Sequence, residues 1–165
     1  MAGRAPERGA ERVAVRRIVI IAARFNEPLT RAMVEGARDA LGRGHVADSA
    51  IDVVWVPGSF ELPVAAAAAA STKPDAIVAI GCLIKGQTPQ YAVIGQAVTQ
   101  SLSDVAVRTG VPIGLGVVIA ESAEQARARA GGAGGNRGEE AAAAALEMVG
   151  TLRCLRAGRA GRSHR

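Results

Sequence analysis

Three short segments hold most of the residues able to do chemistry: Ala23-Arg24-Phe25-Asn26, Val56-Pro57-Gly58-Ser59-Phe60-Glu61-Leu62-Pro63 and Gly81-Cys82-Leu83-Ile84-Lys85-Gly86-Gln87-Thr88-Pro89-Gln90. Phe25 is one of two phenylalanines in a chain that is only 2% aromatic. It ends a β-branched run instead of joining a periodic apolar stripe, a place suited to stacking on a flat heterocycle, although a lone Phe more commonly plugs a core. Glu61 follows the other phenylalanine, Phe60. Its carboxylate can accept hydrogen bonds from hydroxyls or amines, or simply put negative charge at a helix N-terminus.

Gly86-Gln87-Thr88-Pro89 leads into a predicted helix, where free backbone N–H groups and the helix dipole favour an anion such as phosphate. The plainer alternative is that Thr88 caps the helix and Pro89 fills its first turn. Arg129 and Arg137 flank a glycine-rich stretch, and Arg137 falls in the first turn of the last predicted helix. A cation there opposes the dipole unless an anion is near; Glu139 and Glu140 are also close enough in sequence to balance it.

Other chemistries lack their signatures: there is no phosphate-binding P-loop, no G-x-G-x-x-G after a strand, no zinc spacing and no nucleophile elbow. His45 and His164 fall in a loop and in the basic tail, where solvated surface positions explain both. The two cysteines, Cys82 and Cys154, are too few and too far apart for a disulfide framework or a metal cluster. Reduced thiols and a cytoplasmic setting are expected.

Those segments must be positioned by something, and from Arg17 onward short β-branched runs alternate with helical stretches, as in a parallel sheet covered on both faces. Strands are predicted at Ile18–Ala22, Ile51–Val56, Ala76–Ile80 and Ile113–Ile119. Helices are predicted after an Asn26 N-cap to about Gly42 or Gly44, over Leu62–Ser71, from Thr88 and Pro89 to Arg108, in a short element opened by a Ser122 to Gln125 capping box, and from Asn136 to about Leu155. Gly131 to Gly138 reads as a loop. Ligands of an open parallel sheet bind beyond the carboxyl ends of its strands, which is where the three segments lie.

A length of 165 residues suits one domain, and 49% hydrophobic residues with few aromatics imply a core of Ala, Val, Ile and Leu. We expect a flexible opening at residues 1–16, the folded domain at 17–155 and a basic tail at 156–165. The net charge of +5 is concentrated in those ends, and five arginines fall between Arg153 and Arg165. With no aromatic interleaving in the fold, solvated termini explain them better than nucleic-acid binding. No run approaches the ~20 apolar residues of a membrane span, and no apolar secretory stretch precedes the first strand.

Taken in order, the segments resemble lumazine synthase: A-R-F-N, V-P-G-S-F-E-L-P and G-C-L-I-K-G-Q-T-P, then G-V-P-I from Gly110, E-Q-A-R-A-R-A-G at Glu124 to Gly131, and G-N-R-G at Gly135 to Gly138. The resemblance covers about residues 17 to 155. It implies a flavodoxin-like three-layer α/β/α domain with a four-stranded parallel sheet. It further implies a homo-oligomer of pentamers, free or as a 60-subunit icosahedral shell, with active sites shared between neighbouring subunits. The implied reaction joins 5-amino-6-(D-ribitylamino)uracil to 3,4-dihydroxy-2-butanone 4-phosphate, without metal or organic cofactor. The short Gly131 to Gly138 loop resembles that of shell-forming members.

By the same resemblance Phe25 would stack on the pyrimidine, with Asn26, Ser59, Phe60 and Glu61 around the ring and ribityl chain and backbone contacts from Leu83 and Ile84. Gln87, Thr88 and Arg129 would hold the phosphate, and Arg137 stands where the family usually has Lys. Leu115 occupies the place of a common aromatic in the pocket, and Ile119 and Ala120 replace usual threonines. The main departure is Gln90, at the position of the family's proton-transferring His. An amide does not titrate near neutral pH, so slow condensation is the leading expectation and an impaired, shell-forming or flavin-binding homologue the alternative.

Overall fold

The computed structural model describes residues 14–158. Four strands, β1 (Ile18–Ala23), β2 (Ile51–Val56), β3 (Ala76–Ile84) and β4 (Ile113–Ala120), form an all-parallel sheet in the order β2-β1-β3-β4. The helices are α1 (Glu27–Arg43), α2 (Leu62–Ser71), α3 (Gln90–Thr109), α4 (Ala123–Arg129) and α5 (Arg137–Arg156). A two-stranded antiparallel hairpin, β5 (Ala130–Gly132) and β6 (Gly135–Asn136), precedes α5. This is a three-layer α/β/α fold of flavodoxin-like type, as expected.

The layers follow from side-chain alternation along the strands. Ile18, Ile20 and Ala22 of β1 and Ala76, Val78 and Ile80 of β3 face α1 and α5, where they meet Met33, Ala37, Leu41, Ala142 and Ala145. The intervening Val19, Ile21, Ile77 and Ala79 face α2 and α3, against Leu62, Ala66, Val98 and Leu102. Both faces are therefore dry, and the central strands β1 and β3 are apolar at almost every position. Small residues bring the helices close: a Cβ on Gly114 of β4 would lie 2.1 Å from the carbonyl oxygen of Ala141 in α5, so only glycine permits that approach. No helix among the described residues is long and apolar enough to cross a membrane.

Several boundaries differ from expectation. β3 continues four residues past Ile80 because β4 offers it partners all the way to the Ile84–Ala120 pair. The glycine-rich stretch is not a plain loop but contains the β5–β6 hairpin, with positive φ at Gly131 and Gly135. α3 begins at Gln90, with Pro89 at its cap position and no side-chain cap from Thr88. Asn26 does open α1, but in the left-handed conformation (φ 61°), and its side chain caps nothing. Its backbone carbonyl instead accepts from Leu29 and Thr30 N–H. Asn136 is the side-chain cap, its Oδ1 accepting from Gly138 and Glu139 N–H.

The opening expected at residues 1–16 lies outside the described residues except for 14–16, and the tail at 156–165 except for 156–158. Arg16 and Arg17 N–H donate to one Asp75 carboxylate oxygen at 2.7 and 3.0 Å, and Arg153 donates to the other at 2.9 Å and to the Ala14 carbonyl at 2.6 Å. Burial raises the Asp75 carboxyl's affinity for a proton, but these donors outweigh it and hold its pKa below the ordinary value.

Candidate active site

The loops after β1 and β2 are joined by backbone bonds from Arg24 N–H to Val56 and from Phe25 N–H to Pro57, at 2.8 and 3.1 Å. Phe25 is held against the turn that follows β2, and neither phenylalanine is a core plug: Phe25 is 70% and Phe60 65% exposed. That turn, one 3₁₀ turn over Ser59–Glu61, runs straight into α2. It is closed by Glu61, whose Oε2 accepts from Gly58 N–H at 2.8 Å.

Ser59 is buried beneath the turn, only 4% exposed, and its Oγ has no hydrogen-bond partner among the described residues. It fits because position 81 is glycine; a Cβ there would come within 2.5 Å of the Ser59 oxygen. Leu83 and Ile84 at the end of β3, with Gly86 and Thr88, supply the next wall, and Gln90, Tyr91 and Ile94 on the first turns of α3 close the far side. Between these elements runs an open cleft of about 340 Å³ at the carboxyl end of the sheet.

Eight residues singled out from sequence line this one cleft: Phe25, Ser59, Phe60, Glu61, Leu83, Ile84, Thr88 and Gln90. Asn26 and Gln87 do not line it. Asn26 donates its side-chain amide to the Cys82 carbonyl at 2.9 Å, so that group braces backbone. Cys82 itself points into the α1/α5 layer, and burial pushes its thiol up to about 11, which keeps it protonated and inert.

Arg129, Arg137 and Leu115 also stand away from the cleft. Arg129 donates to both Glu140 oxygens at 3.1 and 2.8 Å and to the Gly134 carbonyl, while Arg137 reaches Glu140 Oε2 at 3.0 Å. Partial burial raises the Glu140 pKa, but the two guanidinium partners overcome this and leave it lowered. Glu140 is thus the anion that balances Arg137, while Glu139 pairs with Arg43 at 2.5 Å. Two arginines share one carboxylate, so the group keeps an excess positive charge. Leu115, opposite Ala79 in the sheet, is partly buried on the α2/α3 side.

Gly58, Gly86, Tyr91 and Ile94 line the cleft without having been picked out from sequence. The glycines lie inside segments already marked. Ile94 lies four residues after Gln90, one helical turn on the same face, and that spacing was the available signal.

The arrangement offers two exposed rings for a flat ligand, a carboxylate and a buried hydroxyl for polar groups, and a helix N-terminus for an anion. These features sit in the order and loops of one enzyme family of riboflavin biosynthesis, transferases whose members form oligomers. The sequence profile of the 6,7-dimethyl-8-ribityllumazine synthase family matches residues 15–153, most of the 165-residue chain. The chain belongs to the lumazine synthase family.

Proposed function

We propose that this protein condenses 5-amino-6-(D-ribitylamino)uracil with 3,4-dihydroxy-2-butanone 4-phosphate to 6,7-dimethyl-8-ribityllumazine, with release of phosphate and water and at a rate reduced by Gln90. The observation that carries this reading is the convergence of Phe25, Ser59, Phe60, Glu61, Thr88 and Gln90 on one cleft. Phe25 stacks on the pyrimidine, and the backbone at Leu83 and Ile84 meets its edge. The Ser59 hydroxyl and the Glu61 oxygen not held by Gly58 take polar groups of the ring and ribityl chain. Thr88 and the open N–H groups of α3 face the phosphate, with Asn26 bracing the loop after β1 through the Cys82 carbonyl.

Arg129, Arg137 and Leu115 do not line the chain's own cleft; a second copy brings them to it, and the working unit is a homo-oligomer, a pentamer and its 60-subunit shell. Support comes from a shallow apolar groove of about 310 Å³ between α2 and α3, beside the cleft, with Val64 69% exposed on its wall. Its excess positive charge suits the Arg129–Arg137 pair to a phosphate that must leave. The reaction runs in the cytoplasm, needs no cofactor and rests on positioning: orientation of bound partners can supply ~7–11 kcal/mol in favourable cases.

Mixing the two purified substrates with the protein and following lumazine absorbance tests this reading. A rate above the uncatalysed background is expected, and its absence would overturn the reaction assignment. Gln90 favours one other reading, a homologue that binds lumazine or flavin or builds a shell without turnover. Tight binding of 6,7-dimethyl-8-ribityllumazine with no catalysis would establish it.

A further inference from the structure

We infer that the Tyr91 phenol is the proton-transfer group of the cleft, working where the side chain at position 90 cannot. The inference rests on the reading of the cleft as a condensation site. Of the twelve residues lining it, only Glu61 and Tyr91 have a carboxyl or phenol side chain. Glu61 is tied to its own turn, with Oε2 on Gly58 N–H at 2.8 Å. Gln90 is an amide on the exposed first residue of α3, and Tyr91, directly after it, is half-buried in the cleft wall. Lys85 is exposed and does not line the cleft. Tyr91 is the only tyrosine in the chain.

A phenol at neutral pH carries a proton it can give to a leaving hydroxyl and then reclaim. The amine nitrogen of the pyrimidine attacks the ketone carbon, the carbonyl π pair moves to oxygen, and a proton shifts from nitrogen to oxygen to give a neutral carbinolamine. The Tyr91 O–H then protonates that hydroxyl. The C–O bond breaks, water leaves, and the nitrogen lone pair forms the C=N bond of an iminium ion. The phenolate takes the iminium N–H proton, which gives the neutral imine and restores the phenol. One water is released and the enzyme ends unchanged.

Tyr91→Phe removes the hydroxyl and keeps the ring. In the full-length protein it should lower kcat by about 10- to 100-fold with little change in KM, and abolish the alkaline limb of the kcat/KM profile. Tyr91→His supplies a group that titrates near neutrality and should move that limb to lower pH; it also serves if the Phe variant does not fold. A Phe variant as fast as wild type, a slow one whose pH profile keeps its shape, or a His variant with an unmoved limb overturns the role of Tyr91 while the condensation reading stands. Wild-type protein with no rate above background overturns both.

Discussion

The side-chain amide of Asn26 donates to the Cys82 carbonyl at 2.9 Å, so the left-handed residue that opens α1 also braces the end of β1 against β3. The two roles separate by substitution. Asn26→Ala loses the hydrogen bond and places an alanine in the left-handed region, a combined cost of about 2–3 kcal/mol. Asn26→Gly relieves the backbone and should recover about 1 kcal/mol of that. Urea unfolding of both variants checks this; equal destabilisation would mean that the left-handed backbone contributes nothing.

Ser59 separates stability from binding. A buried hydroxyl without a partner costs about 1–3 kcal/mol in lost hydration, so Ser59→Ala should leave the free protein as stable as wild type or slightly more so. The same change should weaken binding of the lumazine product several-fold, measured by fluorescence titration. A variant both less stable and unchanged in binding would show that the hydroxyl serves the fold and not a ligand.

Asp75 predicts an acid-sensitive end of the molecule. Its folded pKa lies below the unfolded value, so its contribution is present above about pH 4 and is lost as pH falls through the folded pKa. Asp75→Asn should therefore lower stability at neutral pH and flatten the fall in stability below about pH 4. Urea midpoints across the acid range measure it, and parallel curves for variant and wild type would contradict the assignment. Glu140 has the same sign, but it is exposed and solvent screening makes its share small.

Gln90→His restores a titratable group at the start of α3. Turnover should rise, by up to about 10²-fold, and a new limb should appear in the rate profile near pH 6–7. Steady-state kinetics across pH decides it: an unchanged rate and profile would mean that position 90 does not face the reacting atoms.

Much of the fold was legible because both sheet faces are buried, which writes strands as apolar runs and leaves glycine, proline and asparagine between them. β3 past Ile80 was not, since its last residues are strand only because β4 lies alongside to receive them. The hairpin hid inside a glycine-rich run for the same reason. At the site, chain order marked Phe25, Ser59, Phe60, Glu61 and Thr88 because sheet topology gathers loops at the carboxyl ends. Spacing carries no record of which side chains are committed to backbone or to each other, and so it does not show that Asn26 holds the Cys82 carbonyl or that Arg129 and Arg137 share Glu140. Tyr91 carries no such mark, because a helix face is fixed by its neighbours as much as by its period.

The contact of Arg153 with Ala14 and Asp75 brings both ends of the described chain to the mouth of β3, while the cleft opens at its tail. The molecule thus has a handle at one pole and a workplace at the other. A change in the charged cluster at the first pole lies a sheet's length from the cleft, so it should unsettle the fold without reshaping the site.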